Sequence, residues 1–155
     1  MNNNILSNPV FWSSLAGMLI AQFIKPFINL ICGNGWKPSL LFSNGGMPSS
    51  HTSTICAMAT SAGLYEGFGS SLFIVSTVMA FIVMNDAFNV RLETGRQSEV
   101  LNEWASIFSD MFHNGAFTRK KFKTMVGHTV LQVFWGMIIG ILTGFIITVV
   151  FQKYV

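Results

Sequence analysis

Four stretches of the chain are apolar, and each comes near the ~20 residues that a helix needs to cross a bilayer. The first covers residues 9–32 and carries Lys25 and Pro26 in its second half. The second, 50–66, is short and polar at its start. The third, 71–90, holds Asp86 near its end, and the fourth, 127–151, is the most uniformly apolar. Between them lie "GNGWKPSLLFSNGGMP", the tight "GFGS", and a long polar region, 91–126. Within that region Val100, Leu101, Trp104, Ile107, Phe108, Met111 and Phe112 recur at helical spacing, interrupted by Glu99, Glu103 and Asp110. This predicts an amphipathic helix that either lies on the membrane or packs on the bundle. The expected fold is all-α: one integral membrane domain over 1–155, a polytopic bundle of about four transmembrane helices plus an amphipathic interfacial helix.

Composition agrees. The 155 residues are 51% hydrophobic and only 10% charged, against about 25% charged in soluble domains. A charged side chain at the centre of a spanning helix costs roughly 2.5–3.5 kcal/mol on insertion scales. The net charge of +3 suits cytoplasmic loops rather than nucleic acid. Cys32 and Cys56 have neither zinc-site spacing nor a disulfide framework. "MNNNILSNPVFW" lacks the basic start and cleavage site of a signal peptide, so the first apolar segment is expected to be retained.

Four crossings put both termini on one side and the 33–47 and 91–126 connections on the other. "TRKKFK", 118–123, then makes the second side cytoplasmic by the positive-inside rule. The expected location is the bacterial cytoplasmic membrane. In the fourth segment Gly136, Gly140 and Gly144 recur every four residues. Small residues at that spacing let helices approach closely, either inside the chain or across a homodimer.

The same topology gathers the ionisable residues of the apolar segments. His51 starts the second segment, Asp86 and Arg91 end the third, His128 starts the fourth, and Lys25 lies near the end of the first. All five fall toward one side, and ionisable groups at membrane depth are functional candidates. The stretch "GGMPSSHTST" opens directly into a helix, whose N-terminus attracts anions. Gly46 permits close backbone approach, and Ser49 and Ser50 can cap and donate. Arg91 offers a planar fork matched to phosphate oxygens, and Lys25 a point charge. Two histidines could divide nucleophile and general acid. Asp86 and Glu93 are the only plausible carboxylate pair for Mg²⁺, so no metal or cofactor is expected. The plainer alternatives are a capping His51, snorkelling Lys25 and Arg91, and Asp86 paired with Arg91 or Arg96. His113 reads as an exposed loop residue.

"GGMPSSHTS", "NDAFNVRLETGRQSEVLN" and "VGHTVLQVFWGMIIG" together resemble the divergent branch of the phosphatidic acid phosphatase type 2 superfamily, also described as acid phosphatase/vanadium-dependent haloperoxidase-related membrane proteins. The resemblance covers nearly the whole chain. It implies His128 as the nucleophile that forms a phosphohistidine, and His51 as general acid. It also implies Lys25, Ser49, Ser50 and Arg91 as phosphate-binding residues. Gln132 stands one helical turn after His128, where the superfamily has an aspartate that orients the imidazole. Glutamine can hold a tautomer but cannot stabilise an imidazolium by charge, and Asp86 is the candidate to supply that charge. The implied activity is metal-independent hydrolysis of a lipid phosphate or pyrophosphate, polyprenyl ones included. The alternatives are a non-catalytic protein that binds, moves or scaffolds around lipid phosphates, and vanadate-dependent halide oxidation.

Overall fold

The structure, a computed structural model, describes residues 4–43, 45–111 and 130–154, with only the backbone at 88, 91, 92 and 109–111. Every regular element among them is helical: α1 (Pro9–Ile31), α2 (Ser50–Glu66), α3 (Ser71–Asn85), α4 (Arg91–Met111) and α5 (Val130–Tyr154). Short 3-10 turns occupy Ile5–Ser7 and Pro38–Phe42. The helix starts follow capping chemistry. Asn8 Oδ1 accepts the Val10 N–H at 2.8 Å with Pro9 in the first turn, and Ser70 Oγ accepts that of Phe73 at 3.2 Å.

The central helix is α2, which packs against α1, α3 and α5. Its sequence, "SHTSTICAMATSAGLYE", is mostly small residues, so neighbours on several sides can come close. On one side a Cβ added to Gly136 would stand 2.5 Å from the Ser49 carbonyl oxygen. One on Gly140 would stand 2.5 Å from that of Ser53, and one on Gly144 2.6 Å from that of Ala57. Both series ascend, so α2 and α5 run parallel, and the glycine stripe is covered within the chain. Of the two readings of that stripe, internal packing is the one this geometry realises. On another side a Cβ at Gly17 would meet that of Ala57 at 2.9 Å, and Ser53 Oγ donates to the Gly17 carbonyl at 2.8 Å. Lys25, two turns further along α1, meets Ser50, so α1 runs antiparallel to α2. The short 67–70 connection returns α3 antiparallel as well, with Phe73 against Gly63.

The interior is small and hydroxyl-rich, while the outside is bulky and apolar. Ser13, Ser53, Ser61 and Thr148 are fully buried, whereas Phe81, Ile82, Phe145 and Ile146 are more than half exposed. That distribution inverts a water-soluble protein and suits a surface that meets hydrocarbon. Thr148 Oγ1 answers its burial with two 2.7 Å bonds, to Ser61 Oγ and the Gly144 carbonyl. Among the described residues α1 and α5 are long and apolar enough to cross a membrane, and α3 is a shorter apolar helix.

The expectation for the third segment needs correction. Instead of ending near residue 90 and giving way to a loop, α3 passes through a π turn, Asp86–Val90, directly into α4. The helix is unbroken from 71 to 111 because "NDAFNVRLET" holds neither proline nor glycine. The onset of charge changes what surrounds a helix without terminating it. Gly95, further on, lies inside α4, where one glycine costs only about 1 kcal/mol. The amphipathic helix expected around 100–112 is thus the later part of α4, and 112 lies outside the described residues. The fourth segment is helical from Val130, and 127–129 also lie outside them.

Candidate functional site

Antiparallel α1 and α3, with parallel α2 and α5, bring one set of helix ends together. The end of α1, the start of α2, the π turn and the start of α5 share this end, and the π turn packs against α5. Ser49 is the hinge of the arrangement. It is fully buried, and its N–H donates to the Gln132 carbonyl at 3.0 Å. Its Oγ caps α2 by accepting the Thr52 N–H at 3.4 Å, and it also accepts the Thr52 hydroxyl at 3.0 Å. The Ser50 side chain is buried beside it, whereas His51 is exposed at the first turn of α2. Ahead of them Gly46 has φ +93°, a backbone conformation that favours glycine. A Cβ there would lie 3.9 Å from Lys25 Cδ.

Lys25 is 1% exposed. Its Nζ donates to the Ser43 carbonyl at 2.9 Å and to Ser50 Oγ at 3.4 Å. Among the described residues no carboxylate lies within ion-pair distance of it; the ion pair they show, Arg96–Glu93 at 3.4 Å, is exposed on α4. A buried ammonium needs hydrogen bonds or a counter-charge, and here it has two protein oxygens. It sits one layer behind the site, reaching Ser50 from below.

Sequence reasoning missed Gln22. One helical turn before Lys25, its Nε2 donates to the Leu41 carbonyl at 2.8 Å and to that of Ser43 at 3.4 Å. Gln22 and Lys25 together clamp the 41–43 backbone onto α1. Their i, i+3 spacing on an apolar helix was the available signal. The clamp closes a groove of about 490 Å³, lined by Met18, Leu19, Gln22 and Phe23 of α1, by Leu41 and Phe42, and by Ser50, His51 and Thr54.

The remaining sequence candidates are placed unevenly. Asp86 is half-buried and opens the π turn. The backbone of Arg91 begins α4, and its side chain is outside the description. His128 and His113 lie outside the described residues, as does the basic run 118–123. Lys25, Ser49, Ser50, His51, Gly46 and Gln132 are brought to one helix end. At Gln132 the backbone carbonyl accepts the Ser49 N–H.

A helix bundle with a hydroxyl-lined interior, an apolar exterior and its polar groups gathered at one end is a membrane protein. Residues 6–143 match the Divergent PAP2 family, and the chain belongs to that family. It is 38% identical over 157 residues to the "Uncharacterized membrane protein YuiD" of Bacillus subtilis (strain 168), a match that covers 96% of this chain and 99% of the relative. No solved structure is significantly similar.

Proposed function

We propose that the chain is a membrane phosphatase that hydrolyses a lipid phosphate or pyrophosphate without a metal. The observation that carries this reading is the buried Lys25 ammonium, with no described carboxylate beside it, behind the capped N-terminus of α2. A helix N-terminus and a cation together favour an anion. Ser50 and His51, which line the groove there, stand where that anion would be met. The apolar remainder of the groove suits the hydrocarbon of a lipid. His51, exposed at the groove, is the general acid in this scheme. His128 is the nucleophile, four residues ahead of Gln132 in the chain, with Arg91 clamping the phosphate and Asp86 supplying charge to an imidazolium. Four crossings, with the site on the cytoplasmic side, complete the scheme. The alternating directions of α1, α2 and α3 support the crossing count, and the basic run 118–123 supports the orientation.

The test is phosphate release by the purified protein from a panel of lipid phosphates and pyrophosphates, with and without vanadate, beside His51→Ala and His128→Ala. Vanadate-sensitive release that both substitutions abolish is expected. No release from folded protein that binds the same lipids would overturn the catalytic reading. Cysteine accessibility that places positions 50 and 120 outside the cell would overturn the orientation.

One observation favours a second reading, non-catalytic binding of lipid phosphates. Lys25 directs its ammonium to Ser43 and Ser50, and its strongest bond is structural. In that case every substitution at the site weakens lipid binding and no preparation turns over.

A further inference from the structure

The groove beside His51 has unlike walls. The first turn of α2 contributes Ser50, His51 and Thr54, while α1 and the 3-10 turn contribute Met18, Leu19, Phe23, Leu41 and Phe42. A ligand that satisfies both is an anion joined to hydrocarbon. The apolar side consists of one helix face and one short turn. The whole groove, about 490 Å³, falls within the size of sites that enclose a drug-sized ligand. A headgroup occupying part of it leaves room for a stretch of one chain. Phe23 and Phe42, 59% and 91% exposed, form an open lip past which a longer chain would continue into lipid.

The lip is also held in place. Two α1 side chains, Gln22 and Lys25, fix the carbonyls of Leu41 and Ser43, so the turn that carries Phe42 keeps its distance from Phe23. Committing Gln22 Nε2 to those carbonyls leaves Gln22 Oε1 buried and without a hydrogen-bond partner among the described residues. A buried acceptor of this kind calls for a donor.

We infer that the groove between α1 and the Pro38–Phe42 turn seats the first part of a single hydrocarbon chain. The site thereby selects single-chain phosphate monoesters over double-chain glycerolipid phosphates. The inference rests on the lipid-phosphate reading of the site and narrows it to a class of substrate.

The experiment uses the full chain in phosphatidylcholine nanodiscs. Binding of inorganic phosphate, of butyl, hexyl, octyl and decyl phosphate, and of dihexanoyl phosphatidate is measured by calorimetry, with phosphate release followed in parallel. Affinity should rise about fourfold per added methylene (~0.8 kcal/mol) and level off once the groove is filled. Dihexanoyl phosphatidate should bind no more tightly than hexyl phosphate. In Phe23→Ser and Phe42→Ser, both at exposed positions and each checked for an unchanged thermal melt, the rise per methylene should flatten.

An unchanged rise in both variants would mean simple partition into lipid and would overturn the inference. So would a second chain that adds its full increment, or equal affinity for inorganic phosphate and alkyl phosphates. Chain-dependent binding without phosphate release would sustain the groove and defeat hydrolysis. Release without chain dependence would do the reverse.

Discussion

The N–H of Ser49 donates to the Gln132 carbonyl at 3.0 Å, so the residue that caps α2 is tied to the first turn of α5. Those two positions are 83 apart in sequence. The bond sets the depth at which the two parallel helices engage. Further along, Gly136 lies under the carbonyl of that cap, and Gly140 and Gly144 under α2 carbonyls.

Gly140→Ala should therefore destabilise the protein without touching the site. The new Cβ would stand 2.5 Å from the Ser53 carbonyl oxygen and 2.8 Å from Cys56 Cβ, and backbone cannot step aside as a flexible side chain can. Overpacking of this kind costs about 1–3 kcal/mol. A thermal melt in detergent should show a clear fall, with Gly69→Ala as the control, since nothing lies within 4 Å of that position.

Lys25→Met separates charge from volume. Methionine fills much of the space, and replacing a buried charge by an apolar side chain is often tolerated. The Ser43 carbonyl loses its 2.9 Å partner, so a loss of about 1–3 kcal/mol is expected. If the ammonium stabilises phosphate, turnover should fall at least about 100-fold while the protein still folds. Unchanged turnover would confine Lys25 to holding the turn.

His51→Ala tests whether this side chain delivers a proton. His51 is exposed, and a thermal melt of the variant separates any lost stability from lost chemistry. Loss of a general acid typically costs about 10²–10⁴ in rate. An aryl phosphate, whose leaving group needs no proton, should recover much of the lost rate, whereas an alkyl phosphate should not. Equal losses on both would argue that His51 binds rather than protonates.

Thr148→Val keeps shape and removes the hydroxyl that links α5 to Ser61 at 2.7 Å. Hydrogen bonds between membrane helices average about 0.6 kcal/mol in double-mutant cycles. A small loss is expected, and a cycle with Ser61→Ala should return a coupling of that order.

Much of this arrangement is written locally in the chain. Ser49 and the run of small residues after it announce both the start of α2 and a helix with close neighbours. The four-residue glycine spacing announces the helix that covers it. The shared end of Lys25, Ser50 and Gln132 follows from alternating directions alone. The groove was not legible, because the turn is held to α1 through the backbone carbonyls of Leu41 and Ser43, which leave no mark on residue type. Continuity through 85–91 was hidden for another reason. Charged residues begin there, and they resemble a loop wherever a helix leaves an apolar environment.

The π turn at Asp86–Val90 has a consequence for that long helix. Such a turn is an α-helix carrying one residue too many, and each residue of an α-helix advances the azimuth by about 100°. The surplus residue therefore sets the phase between α3 and α4. It decides which compass direction Leu101 and Trp104 face for a given seating of Ala80 in the bundle. Deleting one residue from 86–90 would close the turn to ordinary pitch and swing the Trp104 face through more than a quarter circle, with α3 left where it was.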